Sequence, residues 1–259
     1  MRRRKIMHGS TRALIIGGTQ GLGLAIARRL QGEGCTSLVV SGRDGAKGEA
    51  VAGSLGACFV ACDLEDTSSV ERLVDSAADR LGGLNALVVA GALTDRGSIL
   101  DTDHTTWDRM MAANARSPFF AIQRMAKLAI AAGEPASIVN ILSMVVHCGQ
   151  SFLAPYAASK AALANITKNA ANSLRTQRIR VNGINCGWMD TPGEDAVQRK
   201  FHGAGDSWLE QAEAKQPFGM LVKPEHVAGL ASFMLSGAAG VMTGSIVDFD
   251  QNIAGAYPE

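Results

Sequence analysis

The stretch "RALIIGGTQGLGLAIARRL", residues 12–30, decides the fold. It opens on a short continuous apolar run of the kind a buried strand shows and closes on "LAIARRL", whose apolar residues recur at helical spacing. Between them lies "GGTQGLG", residues 17–23. Glycines at 17, 21 and 23 permit a tight turn and let backbone N–H groups approach a phosphate, and the start of the following helix adds its positive end. The spacing is GxxxGxG rather than GxGxxG, and no GK[ST] follows as in a Walker loop. A glycine-rich loop alone is weak evidence, but between a first strand and a first helix it predicts a nucleotide site around Gly17, Thr19, Gln20, Gly21, Leu22 and Gly23.

Outward from this unit the same alternation continues. Strand-like runs lie at 12–17, 37–42, 58–63, 86–91, 137–142, 179–185 and 245–250, with helical patterns near 21–33, 45–55, 67–81, 103–132, 154–177 and 224–235. Repeated strand–helix–strand units predict a parallel sheet, and runs that are continuously apolar predict helices on both of its faces. The expected architecture is an α/β three-layer doubly wound fold of seven strands, one Rossmann-like domain over residues 11–259, preceded by a disordered basic leader over 1–10. Residues 188–216 break the rhythm with mixed glycine, charge and two tryptophans. An insertion after a strand's C-terminal end, where open α/β sheets bind ligands, reads as a substrate lid.

Composition narrows the partners. A formal net charge of +1 on 259 residues gives no broad electrostatic field, so neither nucleic acid nor an anionic membrane surface is an expected partner, and a small neutral or weakly charged ligand is. "MRRRK" lacks the apolar segment of a secretory signal, and no apolar run approaches a membrane span. Cys35, Cys58, Cys62, Cys148 and Cys186 follow no metal-ligand or CxxC spacing and read as small buried side chains of a reducing, cytoplasmic compartment, with neither disulfide nor metal expected.

Two further places carry chemistry. After the second strand, "VVSGRD" puts Gly42 at the position where an acidic residue would bind a ribose 2′-hydroxyl, and Arg43 follows. That favours NADP(H) and leaves NAD(H) open, because Asp44 is able to turn inward and because Arg43 and Asp44 also suit an ordinary solvated turn. Asp63 and Leu64 end the third strand, with Asp63 placed either to touch an adenine or to cap the next helix. In "PYAASKAALANITKNAANS", residues 155–173, Tyr156 and Lys160 stand one turn apart on one helix face. They are either a buried ring with a snorkelling neighbour or an acid–base pair in which the ammonium lowers the phenol's pKa.

The glycine turn, Asp63-Leu64, Asn114 in "MMAANARSPFF", Ser143 in "NILSM" and the Tyr156/Lys160 pair occur in the order and spacing of the short-chain dehydrogenase/reductase family, which the chain resembles from about 11 to 251. The resemblance implies an enzyme moving a hydride between a nicotinamide and an alcohol or carbonyl carbon, usually as a homotetramer. It implies Tyr156 as general acid/base, Lys160 as its pKa modulator and ribose anchor, Ser143 as the donor to the substrate oxygen, and Asn114 as the anchor of a relay water. It adds Ala90 and Gly91 after the fourth strand to the cofactor contacts. Within "INCGWMDT", residues 184–191, it implies a nicotinamide turn of Gly187, Met189 and Thr191.

Three positions depart from the family pattern: Ile16 for a threonine, "VVAG" at 88–91 for Asn-Asn-Ala-Gly, and Cys186 for a proline. They predict altered hydrogen bonding in the central strands and a freer nicotinamide turn. Family position makes Thr94, Met144, Val145, His147, Gln150, Trp188, Glu194 and Trp208 candidates to face a small-molecule alcohol or ketone. Three acids at the lid entrance, Asp190, Glu194 and Asp195, suggest an amino alcohol or polyol. The tail "DQNIAGAYPE" reads as a frayed end, with the alternative that Tyr257 covers a pocket. A catalytically silent dinucleotide-binding sensor or scaffold is the competing reading, and a sugar-nucleotide epimerase would need a larger C-terminal domain than a dozen residues allow.

Overall fold

In the computed structural model, which describes residues 7–256, seven strands form one parallel sheet. They are β1 (Arg12–Ile16), β2 (Ser37–Gly42), β3 (Cys58–Ala61), β4 (Ala86–Val89), β5 (Ala136–Ser143), β6 (Ile179–Cys186) and β7 (Ile246–Phe249). Their order is β3-β2-β1-β4-β5-β6-β7, so the chain starts in the middle, winds to one edge, and then returns past β1 to the other. The reversal between β1 and β4 is the switch point at which such sheets open a crevice.

The helices are α1 (Gly21–Gly32), α2 (Gly45–Leu55), α3 (Thr67–Leu81), α4 (His104–Met111), α5 (Ser117–Ala132), α6 (Ala154–Leu174), α7 (Pro192–His202), α8 (Trp208–Glu213) and α9 (Pro224–Leu235). One core layer joins the sheet to α1, α2 and α9 through residues such as Ile26, Leu30 and Val227. The other joins it to α3, α5 and α6 through Leu73, Met125 and Ala171. With both faces covered, the strands are buried almost end to end, which is why they read as unbroken apolar runs. No helix among the described residues is long and apolar enough to cross a membrane.

Several expected boundaries move. The helix expected over 103–132 is interrupted: Ala112–Arg116 is a π-helical segment between α4 and α5. Such wide turns gather at functional sites, and Asn114 is in this one. The cap of α3 is Asp66 rather than Asp63, its carboxylate accepting from the Ser68 N–H at 2.9 Å. The lid region holds two helices, α7 started by a Thr191 cap and ended at Gly203 in the left-handed region.

Residues 7 and 8, expected within a disordered basic leader over 1–10, are bound to the fold. Met7 and His8 donate backbone bonds to the Glu33 carbonyl at 2.9 and 3.1 Å. The fully buried His8 ring reaches Thr11 Oγ1 at 3.0 Å and Ser232 Oγ at 2.9 Å, joining the chain's start to α9. Residues 1–6 and Tyr257 lie outside the described residues.

The family departures have local compensations. Ile16 is buried in the core, and its carbonyl accepts from both the Ala90 and Gly91 N–H groups at 2.9 Å, so main chain joins the two strand ends where side chains were expected to. The turn after Cys186 is not freer. Cys186 pairs with Ser143 of β5 and Phe249 of β7, and the Gly187 N–H donates to Phe249 O at 3.0 Å.

Candidate active site

A cavity of about 800 Å³ opens along the C-terminal ends of the strands, from the β2 edge across the β1/β4 switch point to the lid. The glycine turn forms one wall. Gly17 has φ +79°, and a Cβ there would lie 2.5 Å from the Gly91 backbone, so main chain meets main chain where β1 and β4 end. Gly23 leaves no room for a Cβ against the Gly17 carbonyl. Gln20 occupies the N-cap of α1 but its side chain makes no capping bond, so the first turn at Gly21, Leu22 and Gly23, which line the cavity, is left without a side-chain cap. Backbone donors at a helix start beside a tight turn suit a pyrophosphate, and these residues therefore fit a dinucleotide.

Thr19, Arg43, Asp63, Leu64, Ala90 and Gly91 line the same end. Asp44 turns away, its carboxylate accepting from the Lys47 N–H at 3.0 Å as the cap of α2. Lys47 Nζ donates to Gln20 Oε1, bringing a second cation beside Arg43's end of the cavity.

At the centre stand Ser143, Tyr156 and Lys160, all lining the cavity. Ser143 ends β5, and Tyr156 lies in the first turn of α6 after Pro155, which the missing N–H of proline favours there. One turn later Lys160, 3% exposed, donates to the Ile141 carbonyl at 2.8 Å, and its Nζ is 5.8 Å from the Tyr156 ring centroid. In this pocket burial works against the expected acidification of the phenol. Burial pushes the Tyr156 phenol up to about 12, opposed chiefly by a hydrogen bond from Ser143. Burial likewise pushes the Lys160 ammonium down to about 8. Removing two groups from water favours the neutral form of each.

Asn114 is 1% exposed and does not line the cavity. Its amide accepts from the Leu93 N–H at 2.8 Å, and its Nδ2 donates to Leu93 O at 2.9 Å and to Ser159 Oγ at 3.0 Å. It thereby locks the loop after β4 to the helix that carries Tyr156 and Lys160. Gly187, Met189 and Thr191 line the cavity beyond β6. Thr191 accepts from the Glu194 N–H at 3.1 Å, which leaves its own O–H free to donate.

Of the residues expected to face substrate, Thr94, Met144, Val145, Gln150, Trp188 and Glu194 line the cavity. His147 and Trp208 do not. His147 turns to Asp248, 2.9 Å away, and to Asn185, whereas Trp208 donates to Asp195 at 2.7 Å on the outer side of α7. The acidic trio is also dispersed. Lys223 takes Asp190 at 2.8 Å, and Arg199 and Trp208 take Asp195, which leaves only Glu194 on the cavity. Glu194 Oε1 accepts from Trp188 Nε1 and Gln198 Nε2, each at 2.7 Å. Sequence reasoning passed over Arg96, Phe152, Gln198 and His202, which also line this end. Nothing in their local sequence separates them from other loop and helix-surface residues, because they meet only when the lid folds back over the loop after β4.

A doubly wound sheet with a backbone cradle at its switch point and a Ser, Tyr and Lys cluster in the same crevice defines a nucleotide-dependent oxidoreductase. The chain belongs to the short-chain dehydrogenase/reductase family: the family model described as "Enoyl-(Acyl carrier protein) reductase" matches residues 17–251. Its relatives include sorbitol dehydrogenase of Cereibacter sphaeroides, 30% identical over 92% of this chain and 95% of that protein. Cis-4-hydroxycyclohexanecarboxylate dehydrogenase of Sinomonas cyclohexanicum is 31% identical over 92% and 94%. A variant of actinorhodin polyketide ketoreductase, solved with NADPH, superposes with a TM-score of 0.87 at 25% identity, over 95% of this chain and 98% of that one. The protein is accordingly an oxidoreductase acting on alcohol and ketone groups.

Proposed function

We propose that the protein interconverts a small polar secondary alcohol and its ketone with NADP(H), Tyr156 acting as the general acid/base. The observation that carries this reading is the placement of Ser143, Tyr156 and Lys160 in one crevice with the glycine turn. When bound, the nicotinamide supplies or accepts the hydride. As negative charge builds on the ketone oxygen, the Tyr156 phenol, protonated up to about 12, donates to it, and the Ser143 hydroxyl donates a second bond that fixes its orientation. Lys160, buried and held on Ile141 O, supplies the positive charge beside the phenol when Tyr156 must take a proton in the opposite direction.

The preference for NADP(H) over NAD(H) rests on Arg43 at the cavity edge, the absence of a carboxylate at Gly42, and Asp44 being engaged in its own helix. A relative solved with NADPH supports it. The amino-alcohol preference loses its basis with the acids dispersed. A polar, polyol-like substrate keeps one in Gln150, Glu194 and Gln198 and in the sorbitol-acting relative. Partly exposed Trp107, Phe119 and Ile130 on α4 and α5 are candidates to be buried in a homotetramer, and free cysteines suit a cytoplasmic home.

Tyr156→Phe tests the reading. On a ketone found by screening with both nicotinamides, turnover should fall by about a thousandfold or more while NADPH affinity is kept. Turnover within tenfold of the parent would refute Tyr156 as the proton donor. NADPH binding with no turnover of any ketone or alcohol would instead favour a dinucleotide sensor.

A further inference from the structure

We infer that Arg96 selects the substrate: the cavity takes an alcohol or ketone that also carries a carboxylate, gripped by the Arg96 guanidinium. This rests on the oxidoreductase reading above and adds to it the chemical class of the substrate.

Arg96 belongs to the loop after β4 and lines the cavity at the lid end. Its guanidinium lies 5.5 Å from the Phe152 ring centroid and 5.9 Å from that of Phe201, so rings from two other segments flank it. Nη1 donates to Thr94 O at 3.2 Å, while Nε and Nη2 both point at His202 Nε2, also at 3.2 Å. A flexible side chain is thus held in one place, which reduces the entropy lost when it binds a ligand.

What it lacks is an anion. Among the described residues Arg96 forms no ion pair, whereas Arg109, Lys200 and Arg199 each do. Arg109 takes Glu65 and reaches Asp95, Lys200 also reaches Asp95, and Arg199 takes Asp195 and Asp206. Asp95, its chain neighbour, serves those two instead. A guanidinium with N–H groups to spare can take a carboxylate, and its planar fork fits that group with two parallel bonds.

Arg96 and Tyr156 line the same cavity, so one small ligand can meet both. Glu194, the carboxylate sharing this end, is committed to Trp188 and Gln198 through one oxygen and stands on α7, so the anion's place is against the opposite loop. The matching substrate is a short oxo acid, its carboxylate on Arg96 and its keto oxygen at Tyr156.

The test uses short-chain oxo acids, starting with 3-oxobutanoate, each paired with its methyl ester. Binding is measured by calorimetry on the NADP⁺-saturated protein, in which a ketone cannot react. The acid should bind about tenfold to a hundredfold more tightly than the ester. Arg96→Gln should bring the two within about twofold with the ester unaffected, and Arg96→Lys should be intermediate. Equal binding of acid and ester by the parent protein, or a preference that survives Arg96→Gln, would overturn the inference. An unchanged ester affinity in Arg96→Gln separates lost recognition from lost folding. Tyr156→Phe should keep the acid preference in binding whatever its turnover, so a failure of the proton-donor reading and a failure of this one show in different measurements.

Discussion

The nucleotide end and the substrate end of the cavity are built by different means. At the first, the shape is main chain: Gly17 against Gly91, Gly23 against the Gly17 carbonyl, and the Ile16 carbonyl shared by two N–H groups of the neighbouring strand end. At the second, it is side chains reaching between distant segments: Arg96 to His202, Trp188 and Gln198 to Glu194, and Lys223 to both Asp190 and Glu213. A wall of backbone tolerates no added atom, whereas a wall of side chains can be rebuilt one residue at a time. The same fold therefore keeps its cofactor while changing its substrate.

Substitutions should expose that contrast. The largest effect is expected of Gly17→Val, which places a branched side chain at positive φ and into the Gly91 backbone. Urea unfolding should show a loss of about 4 kcal/mol or more, or no folded protein at all. A loss below 1 kcal/mol would mean that the backbone wall yields.

Lys160→Met should do the reverse and stabilise the protein. The folded-state pKa, about 8, is below the ordinary 10.5, so the unfolded chain binds more protons between those values. Stability of the parent should accordingly rise with pH through that window, and the burial penalty should be present in full below about 8. At pH 7 the variant should gain on the order of 2 kcal/mol by thermal unfolding, the gain fading above pH 10, with turnover lost. A parent whose stability is flat from pH 8 to 10 would show that Lys160 is not desolvated.

Arg43→Ala should weaken NADPH binding by about tenfold to a hundredfold and leave NADH unchanged. A parallel loss for both would assign Arg43 to general cofactor packing. The smallest change is expected of Trp208→Phe, which removes one hydrogen bond on the outer side of the lid. About 1 kcal/mol of stability should go, and kcat/KM should stay within about threefold. A larger kinetic effect would show that the outer bonds of α7 set the lid's position over the substrate.

The same contrast explains what the sequence disclosed. The seven strands and the glycine turn were legible because each is a local pattern: a continuous apolar run for a strand covered on both faces, and glycines where no Cβ fits. Tyr156 and Lys160 were legible for the same reason, being one turn apart on one helix. The π segment was not, since "MAANAR" is ordinary helix-forming sequence and the bonds that accompany the wide turn, from Asn114 to Leu93 and Ser159, reach residues distant in the chain. Nor was the fate of the three lid acids. Whether Asp190 or Asp195 faces the cavity depends on Lys223 and Trp208, residues 33 and 13 positions further on. His147 was misplaced likewise, because its partner Asp248 arrives from the last strand.

The wide turn at Ala112–Arg116 has a further consequence. α4 and α5 look like one rod but do not share one angular phase, so a face traced along α4 does not continue along α5. Deleting one residue there would straighten the rod into a better isolated helix, and would rotate Asn114 off the loop that it clasps. The molecule keeps a flaw in this helical rod, and with it the bonds by which Asn114 joins the loop after β4 to the helix of Tyr156 and Lys160.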